Sequence, residues 1–403
     1  MVIWSINNHD APLHDLTNLL SPLGVKFINR NVSPRYNCKH FNGCNASQSL
    51  KVINYKITYD HCFATERYLV QSFYEAYRDD PEMKSVDAFI CYDTAVICSL
   101  YEPFNKSLII IPTARYNHWT CTEPETWRPF NEKIRRYAAD QRNVIAANNR
   151  YDVEYTHWFT GIRGRYLPSF CNYSGTTYIR TRPTEYLIWR RARYPRAGLQ
   201  PRFIDEFGNA TKALDGRVRL IEVTIAYPNG YSMIDIASYA GIVHIPYQTS
   251  TMSVFEQYRM NIPLFFPSRE LLVDWHMNYA VICCRGRQQF PCNYGEKVPK
   301  NKMQTGSPIE RFAGVEVPDP NDDVTRSAVD YWLALSDFFT FPHITYFNSS
   351  DHLAQLLDRM RPGDLQRISA KMREFNRSVK RDLLMEWKGI LHRIARYSIN
   401  NPR

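Results

Sequence analysis

The chain has ten cysteines, at positions 38, 44, 62, 91, 98, 121, 171, 283, 284 and 292, but no C-x-x-C spacing, which argues against a structural zinc site. It also lacks a D-x-D triplet. Asp319-Pro-Asn-Asp322 is spaced too widely, and Asp152-Val-Glu154 falls in a helix-patterned stretch, so the carboxylate pair that would hold Mg²⁺ or Mn²⁺ against phosphates is missing. A G-x-x-x-x-G-K phosphate loop and a G-x-G-x-x-G dinucleotide fingerprint are absent as well. No apolar run reaches the roughly 18 residues that cross a bilayer; the longest, such as Leu108 to Pro112, are strand-sized. The start, Met1-Val-Ile-Trp-Ser-Ile-Asn, has no basic stretch ahead of a long apolar one and reads as a first strand, not as a signal peptide. Low-complexity tracts and internal repeats are lacking too.

What is present is an ordinary globular composition, 44% hydrophobic and 22% charged, over 403 residues. Single cores stop growing at roughly 250–300 residues, so two domains are expected. Fifty Lys+Arg against 40 Asp+Glu leave a charge of +10, which suits an anionic ligand, a membrane surface or nucleic acid without choosing among them. Cys91 and Cys98 lie in apolar runs and are expected to be buried free thiols. Asn31, Asn45, Asn105, Asn172, Asn209, Asn348 and Asn376 head N-x-S/T sequons, which arise often by chance in an Asn-rich chain. The location expected on these grounds is the cytoplasm, with a secretory lumen as the alternative.

Short β-branched runs alternate with helix-period segments, the pattern of strands and crossover helices around a parallel sheet. Strands are expected at Val2 to Ile6, Val25 to Ile28, Leu50 to Ile57, Ala88 to Tyr92, Leu108 to Ile111 and Val144 to Ala147. Helices are expected at Leu13 to Leu23, Thr65 to Tyr77, Glu123 to Asp140 and Asn148 to Gly161. In the third of these, Trp127, Phe130, Ile134 and Tyr137 recur at three- and four-residue steps. After a boundary near residue 182 a second series begins. Its strands are Tyr186 to Trp189, Val218 to Ile225, Ile242 to Ile245, Pro263 to Phe266 and His343 to Phe347; its helices are Met233 to Ala240, Met252 to Met260, Arg269 to Tyr279, Arg326 to Phe338 and Asp351 to Met360. Val281 to Pro320 reads as an insertion, and Gly363 to Phe375 and Val379 to Tyr397 as closing helices. The fold class is therefore α/β, with domains at 1–182 and 183–378 and a terminal helix at 379–403.

The segment Gly241 to Ser268 carries the most chemistry. A buried strand leads into Gln248, Thr249, Ser250 and Thr251, which open a helix at Met252; free N–H groups and the positive dipole end there favour a phosphate. Glu256 follows one turn later, within reach of a ribose hydroxyl beside that phosphate. Ser or Thr also caps any helix, and Glu near a helix start complements the dipole in proteins that bind nothing there. Arg190 and Arg191 follow the first strand of the second domain and suit bidentate phosphate contact, or form a solvated basic turn. In the first domain His9 and Asp10, Asp93, and Arg115-Tyr116-Asn117-His118 follow strands, where α/β folds bind ligands.

The strand, the Ser/Thr loop, the helix bearing Glu256 and the strand from Asn261-Ile-Pro263 resemble the donor-nucleotide motif of retaining GT-B glycosyltransferases, in the large group 1 (GT4-like) superfamily. Glu256 and Pro263 match that motif's E-x-x-x-x-x-x-P, whereas Gln248 stands where the first Glu of the usual pair is found. Asn143 to Asp152, Gly161-Ile162 with Tyr166-Leu-Pro168, and Tyr346 to Met360 with Ile368 to Trp387 are similar to other parts of that architecture.

The resemblance implies a GT-B fold: two Rossmann-like doubly wound domains facing an interdomain cleft, the first for an acceptor and the second for a nucleotide sugar, with a C-terminal helix crossing back. It implies transfer of a hexose, deoxyhexose or pentose from a UDP- or GDP-sugar to a glycan or glycoconjugate hydroxyl, with retention. No cofactor and no metal are expected. Arg190, Arg191, Gln248, Thr249, Ser250, Thr251 and Glu256 are the expected donor-site residues. His118, His9 and Asp10 are the catalytic candidates, and Arg115, Tyr116, Asn117 and Asp93 are candidates for acceptor or sugar binding. Nucleic acid is not an expected partner. The rivals are a nucleotide-sugar epimerase of the same fold and a non-catalytic sugar- or nucleic-acid-binding protein; 27 Tyr and the basic excess could stack bases, but they form no joint stripe.

Overall fold

A computed structural model describes residues 1–7, 10–31, 50–53, 67–92, 94–118, 124–189, 199–214, 217–282 and 303–400. They form two α/β units. The first comprises Met1–Tyr173, Pro308–Val317 and Arg381–Arg403, and the second Ser174–Ser307 and Pro318–Lys380.

The first unit is built on β1 (Val2–Asn7), β2 (Lys26–Asn31), β3 (Ala88–Cys91), β4 (Ser107–Ile110), β5 (Val144–Ala147) and β6 (Arg165–Tyr166). They run parallel in the order β2-β1-β3-β4-β5-β6. Helices α1 (Asp10–Leu20), α2 (Arg67–Tyr77), α3 (Pro124–Ala139) and α4 (Arg150–Thr160) accompany it. The stripe on α3 is buried as its spacing requires: Trp127, Phe130, Ile134 and Tyr137 all lie in the core, and each such side chain stabilises the unit by roughly 1.5–3 kcal/mol. Asn149 caps α4 by accepting from the Asp152 N–H at 2.7 Å. Gly161 ends it in the left-handed region at φ 72°, with the Phe312 ring packed where a Cβ would stand.

Two expectations for this unit need correction. Leu50 and Ile53 are buried, but residues 50–53 form no strand and bend at 51–52: the Lys51 N–H donates to the Tyr77 hydroxyl at 2.9 Å, so α2 rather than a sheet neighbour satisfies it. Residues 54–57 lie outside the described ones, and the sixth strand is the two-residue β6, too short to show a pattern. Cys91 and Cys98 are not free thiols but a disulfide, because the turn out of β3 brings their Cα atoms to 5.7 Å. Cys171 is fully buried.

The second unit has β7 (Arg182–Trp189), β8 (Arg219–Glu222), β9 (Tyr239–His244), β10 (Leu264–Pro267) and β11 (Thr345–Phe347), all parallel, in the order β11-β10-β9-β7-β8. Its longer helices include α5 (Leu199–Lys212), α6 (Met252–Arg259), α7 (Arg269–Tyr279), α8 (Ser350–Arg359) and the first half of α9 (Pro362–Asn400). The expected strand Val218 to Ile225 ends at Glu222 and continues as a helical turn whose Ile225 is exposed. The expected helix Arg326 to Phe338 is two, Arg326–Leu333 and Asp337–Thr340. Within 281–320 the described residues form no helix or strand, only an isolated bridge between Thr305 and Asp322.

The two expected closing helices are the single α9. Asn376, which looks like a break in the apolar stripe, is buried and donates to the Tyr258 carbonyl and to Asn261 Oδ1, each at 2.9 Å. The residues of α9 up to Lys380 belong to the second unit and those from Arg381 to the first, where Glu386 pairs with Arg165 at 2.6 Å. Among the described residues no helix is long and apolar enough to cross a membrane.

Candidate functional site

Both sheets carry a topological switch point, where successive connections leave in opposite directions and the strand ends open a crevice. In the second unit it lies between β7 and β9, whose last residues Trp189 and His244 are register partners. Arg190 and Arg191 follow Trp189 directly in sequence and lie outside the described residues. From His244 the chain runs through Gln248, Thr249, Ser250 and Thr251 into α6. Thr249 is fully buried and its carbonyl accepts the Asp337 N–H at 3.1 Å, whereas Gln248, Ser250 and Thr251 are half-buried. Thr251 occupies the N-cap position in extended conformation yet makes no side-chain cap; its Oγ1 lies 3.1 Å from Ser253 Oγ. The start of α6 is thus left to helix N–H groups and the positive dipole end, a setting that takes an anion.

Glu256 sits one turn further, in the buried part of α6. Two contacts fix that helix. Asn376 holds the carbonyl of Tyr258 at its far end. On the sheet side, Gln257 Oε1 meets His244 Nε2 at 2.6 Å. Burial pushes the His244 imidazole down to about 3, so it is neutral and stacks on Phe266 at 4.4 Å, which stacks on Phe338 at 4.8 Å. Beside them Trp189 contacts Tyr231 edge-on at 5.2 Å. Burial, then the charges of Glu256 and Tyr247, push the Tyr231 hydroxyl above its usual range. Trp189, Tyr231, His244 and Gln257 were not anticipated. The available signal was the strand-end position of Trp189 and His244.

In the first unit the switch point lies between β1 and β3. His9 and Asp93 are outside the described residues, as is the side chain of Asp10, the first residue of α1. The turn Arg115-Tyr116-Asn117-His118 follows β4, and most of its side chains are engaged inside the unit. Arg115, itself half-buried, forms an ion pair with the buried Asp152 of α4 and lies over the Tyr151 ring at 4.5 Å. Burial raises the Asp152 carboxyl, and the Arg115 charge opposes that. The Tyr116 hydroxyl donates to Asn131 Oδ1 at 2.6 Å and accepts from Trp127 Nε1 at 2.9 Å, both on α3, so its ring is part of the core and not of a pocket wall. Asn117 is buried. Burial and the Arg115 charge push His118 down to about 4, leaving it neutral at physiological pH. Asp15 of α1 is buried and accepts the N–H groups of Phe170 (2.9 Å) and Cys171 (2.6 Å); burial still raises it to about 7. Among the described residues no group of three or more His, Cys, Asp or Glu is placed to hold a metal ion.

No protein-family model matches the chain, and no curated protein matches it in sequence. Solved structures do match it in fold. Sucrose-phosphate synthase from Thermosynechococcus elongatus aligns over 99% of this chain and 100% of its own, at 10% identity and a TM-score of 0.51. The glycotransferase of kitacinnamycin aligns over 98% and 99% at 10% identity and a TM-score of 0.46. Arabidopsis thaliana UGT89C1, solved with quercetin, aligns over 98% and 99% at 11% identity and a TM-score of 0.45. With the two parallel sheets described above, the chain has the GT-B glycosyltransferase fold.

Proposed function

We propose that this protein is a glycosyltransferase that moves a sugar from a nucleotide diphosphate sugar to a glycan or glycoconjugate hydroxyl, without a metal and with retention at the anomeric carbon. The observation that carries the reading is the switch point of the second sheet, where a helix start with no side-chain cap is followed one turn later by buried Glu256. Ser250, Thr251 and the first N–H groups of α6 bind the donor diphosphate, assisted by Arg190 and Arg191, and Glu256 accepts from the ribose hydroxyls. Gln248 borders the same loop. These groups answer the negative charge that grows on the departing diphosphate, which is why no metal is invoked. The first unit takes the acceptor at the carboxyl ends of β1, β3 and β4, near His9, Asp10, Asp93, Asn117 and His118. Retention is supported by the resemblance of the loop, Glu256 and Pro263 to the retaining enzymes.

The test is NMR of the purified protein with a panel of UDP- and GDP-sugars, with and without a mixture of oligosaccharide acceptors. The expected result is acceptor-dependent release of the nucleoside diphosphate and a product with the donor's anomeric configuration. An epimerised donor in the absence of acceptor would replace this reading with the epimerase one, and an inverted product would remove retention.

A further inference from the structure

The Cys91–Cys98 disulfide stands at the switch point of the first sheet. Cys91 is the last residue of β3, Cys98 lies in the 3-10 helix Ala95–Phe104, and both are fully buried. Thr94 lies between them in the chain and is itself fully buried. It caps that 3-10 helix through the Val96 N–H at 3.3 Å. Its hydroxyl also reaches across to the turn after β4, with the Tyr116 carbonyl at 3.2 Å and the His118 carbonyl as its partners. Two backbone bonds follow the same path: Ala95 N–H to the Tyr116 carbonyl at 3.2 Å and Thr113 N–H to the Tyr92 carbonyl at 2.8 Å. The Tyr92 hydroxyl donates to the Pro12 carbonyl in α1. The cross-linked segment therefore joins the chain ends that follow β1, β3 and β4, and it holds the turn at 115–118 through Thr94 and the Ala95 N–H.

We propose that the Cys91–Cys98 disulfide and Thr94 form a redox-dependent clamp that sets the conformation of the Arg115–His118 turn. Thr94 is a positioning residue. Reduction by a dithiol transfers two electrons and two protons, breaks the S–S bond and leaves two thiols, while the reductant closes to its own disulfide. Because both sulfurs are buried, reduction needs local opening, so the clamp records the redox compartment in which the chain folds more than brief exposure to reductant. That the clamp acts on acceptor binding rests on the function proposed above; the clamp itself does not.

The experiment is hydrogen exchange with mass spectrometry on wild type, Cys91→Ala/Cys98→Ala, Thr94→Val and Thr94→Ser. Amides 113–118 should exchange about tenfold faster in the double variant and in Thr94→Val, and at the wild-type rate in Thr94→Ser. Peptides across 239–264 should be unchanged in all four. Wild-type exchange at 113–118 in both disrupted variants would overturn the clamp. So would alkylation of both Cys91 and Cys98 by N-ethylmaleimide in denatured, unreduced protein made in an oxidising compartment. If the double variant does not fold, a dithiothreitol titration of wild type serves: protection of 113–118 should fall in step with the appearance of the two thiols, and protection that outlasts them would overturn the proposal. Thermal shifts with UDP- and GDP-sugars report separately on the second unit. A wild type that shifts with none of them counts against the donor site and leaves the clamp standing on its exchange result.

Discussion

The two units share a parallel sheet with a switch point, yet they treat it differently. In the first unit the side chains near it are bound to one another: Arg115 to Asp152, Thr94 to the carbonyls of Tyr116 and His118, Cys91 to Cys98. In the second, Ser250 and Thr251 remain half-buried and α6 starts without a side-chain cap, while the fixed contacts lie behind it, at Gln257 with His244 and at Asn376 with Tyr258. One switch point holds its shape through its own contacts, and under the function proposed here the other receives charge. A ligand anion can supply the missing acceptor at α6, whereas Arg115, Thr94 and Cys91 already have partners within the first unit.

The largest effect that would break this contrast is on stability. Arg115→Ala leaves Asp152 buried without its partner and should cost about 3–5 kcal/mol in chemical denaturation; a loss under about 1 kcal/mol would mean the pair is not structural. Next comes binding. Glu256→Gln keeps the size but loses a charge-assisted hydrogen bond, about 1.5–3 kcal/mol, so nucleotide-sugar affinity should fall roughly 10–100-fold with little change in melting temperature. The third concerns pH. His244 is held at about 3 in the folded protein, below the ordinary 6.5, so its stabilisation is complete above pH 6.5 and is lost as pH falls towards 3. His244→Phe should therefore reduce the stability lost between pH 6.5 and 5 by about 2 kcal/mol. Asp15, raised to about 7, acts in the opposite sense in the first unit: its contribution is complete below the ordinary carboxyl range and is lost as pH rises through 7. The smallest effect compares two helix starts. Asn149→Ala removes a cap and should cost about 1 kcal/mol, whereas Thr251→Ala, which removes none, should stay within about 0.5 kcal/mol without ligand. Equal losses would erase the contrast.

Much of the fold was legible because parallel strands buried on both faces read as continuous apolar runs: β3, β4, β5, β9 and β10 appear within a residue or a few of their expected bounds. Helix α3 announced itself by its stripe. Other elements failed for identifiable reasons. Helix α5 carries Phe203 and Phe207 one turn apart on its buried face, a signal weakened by the polar residues around them. The continuity of α9 was hidden by Asn376, a polar residue whose burial depends on partners over 100 positions away. Sequence position brought Arg115 and Tyr116 to the correct end of the sheet but could not reveal what their side chains touch, because Asp152 and Asn131 come from later helices. The Ser/Thr loop and Glu256 were more legible, since their geometry is set within a single strand, loop and helix.

The central claim is that the switch point of the second unit binds a nucleotide diphosphate through the start of α6 and Glu256. Calorimetric titration of wild type and Glu256→Gln with UDP and GDP tests it most directly. The account predicts that one of the two binds wild type and binds Glu256→Gln roughly 10–100-fold more weakly. Equal affinity for both proteins, or no binding of either nucleotide to wild type, would contradict it.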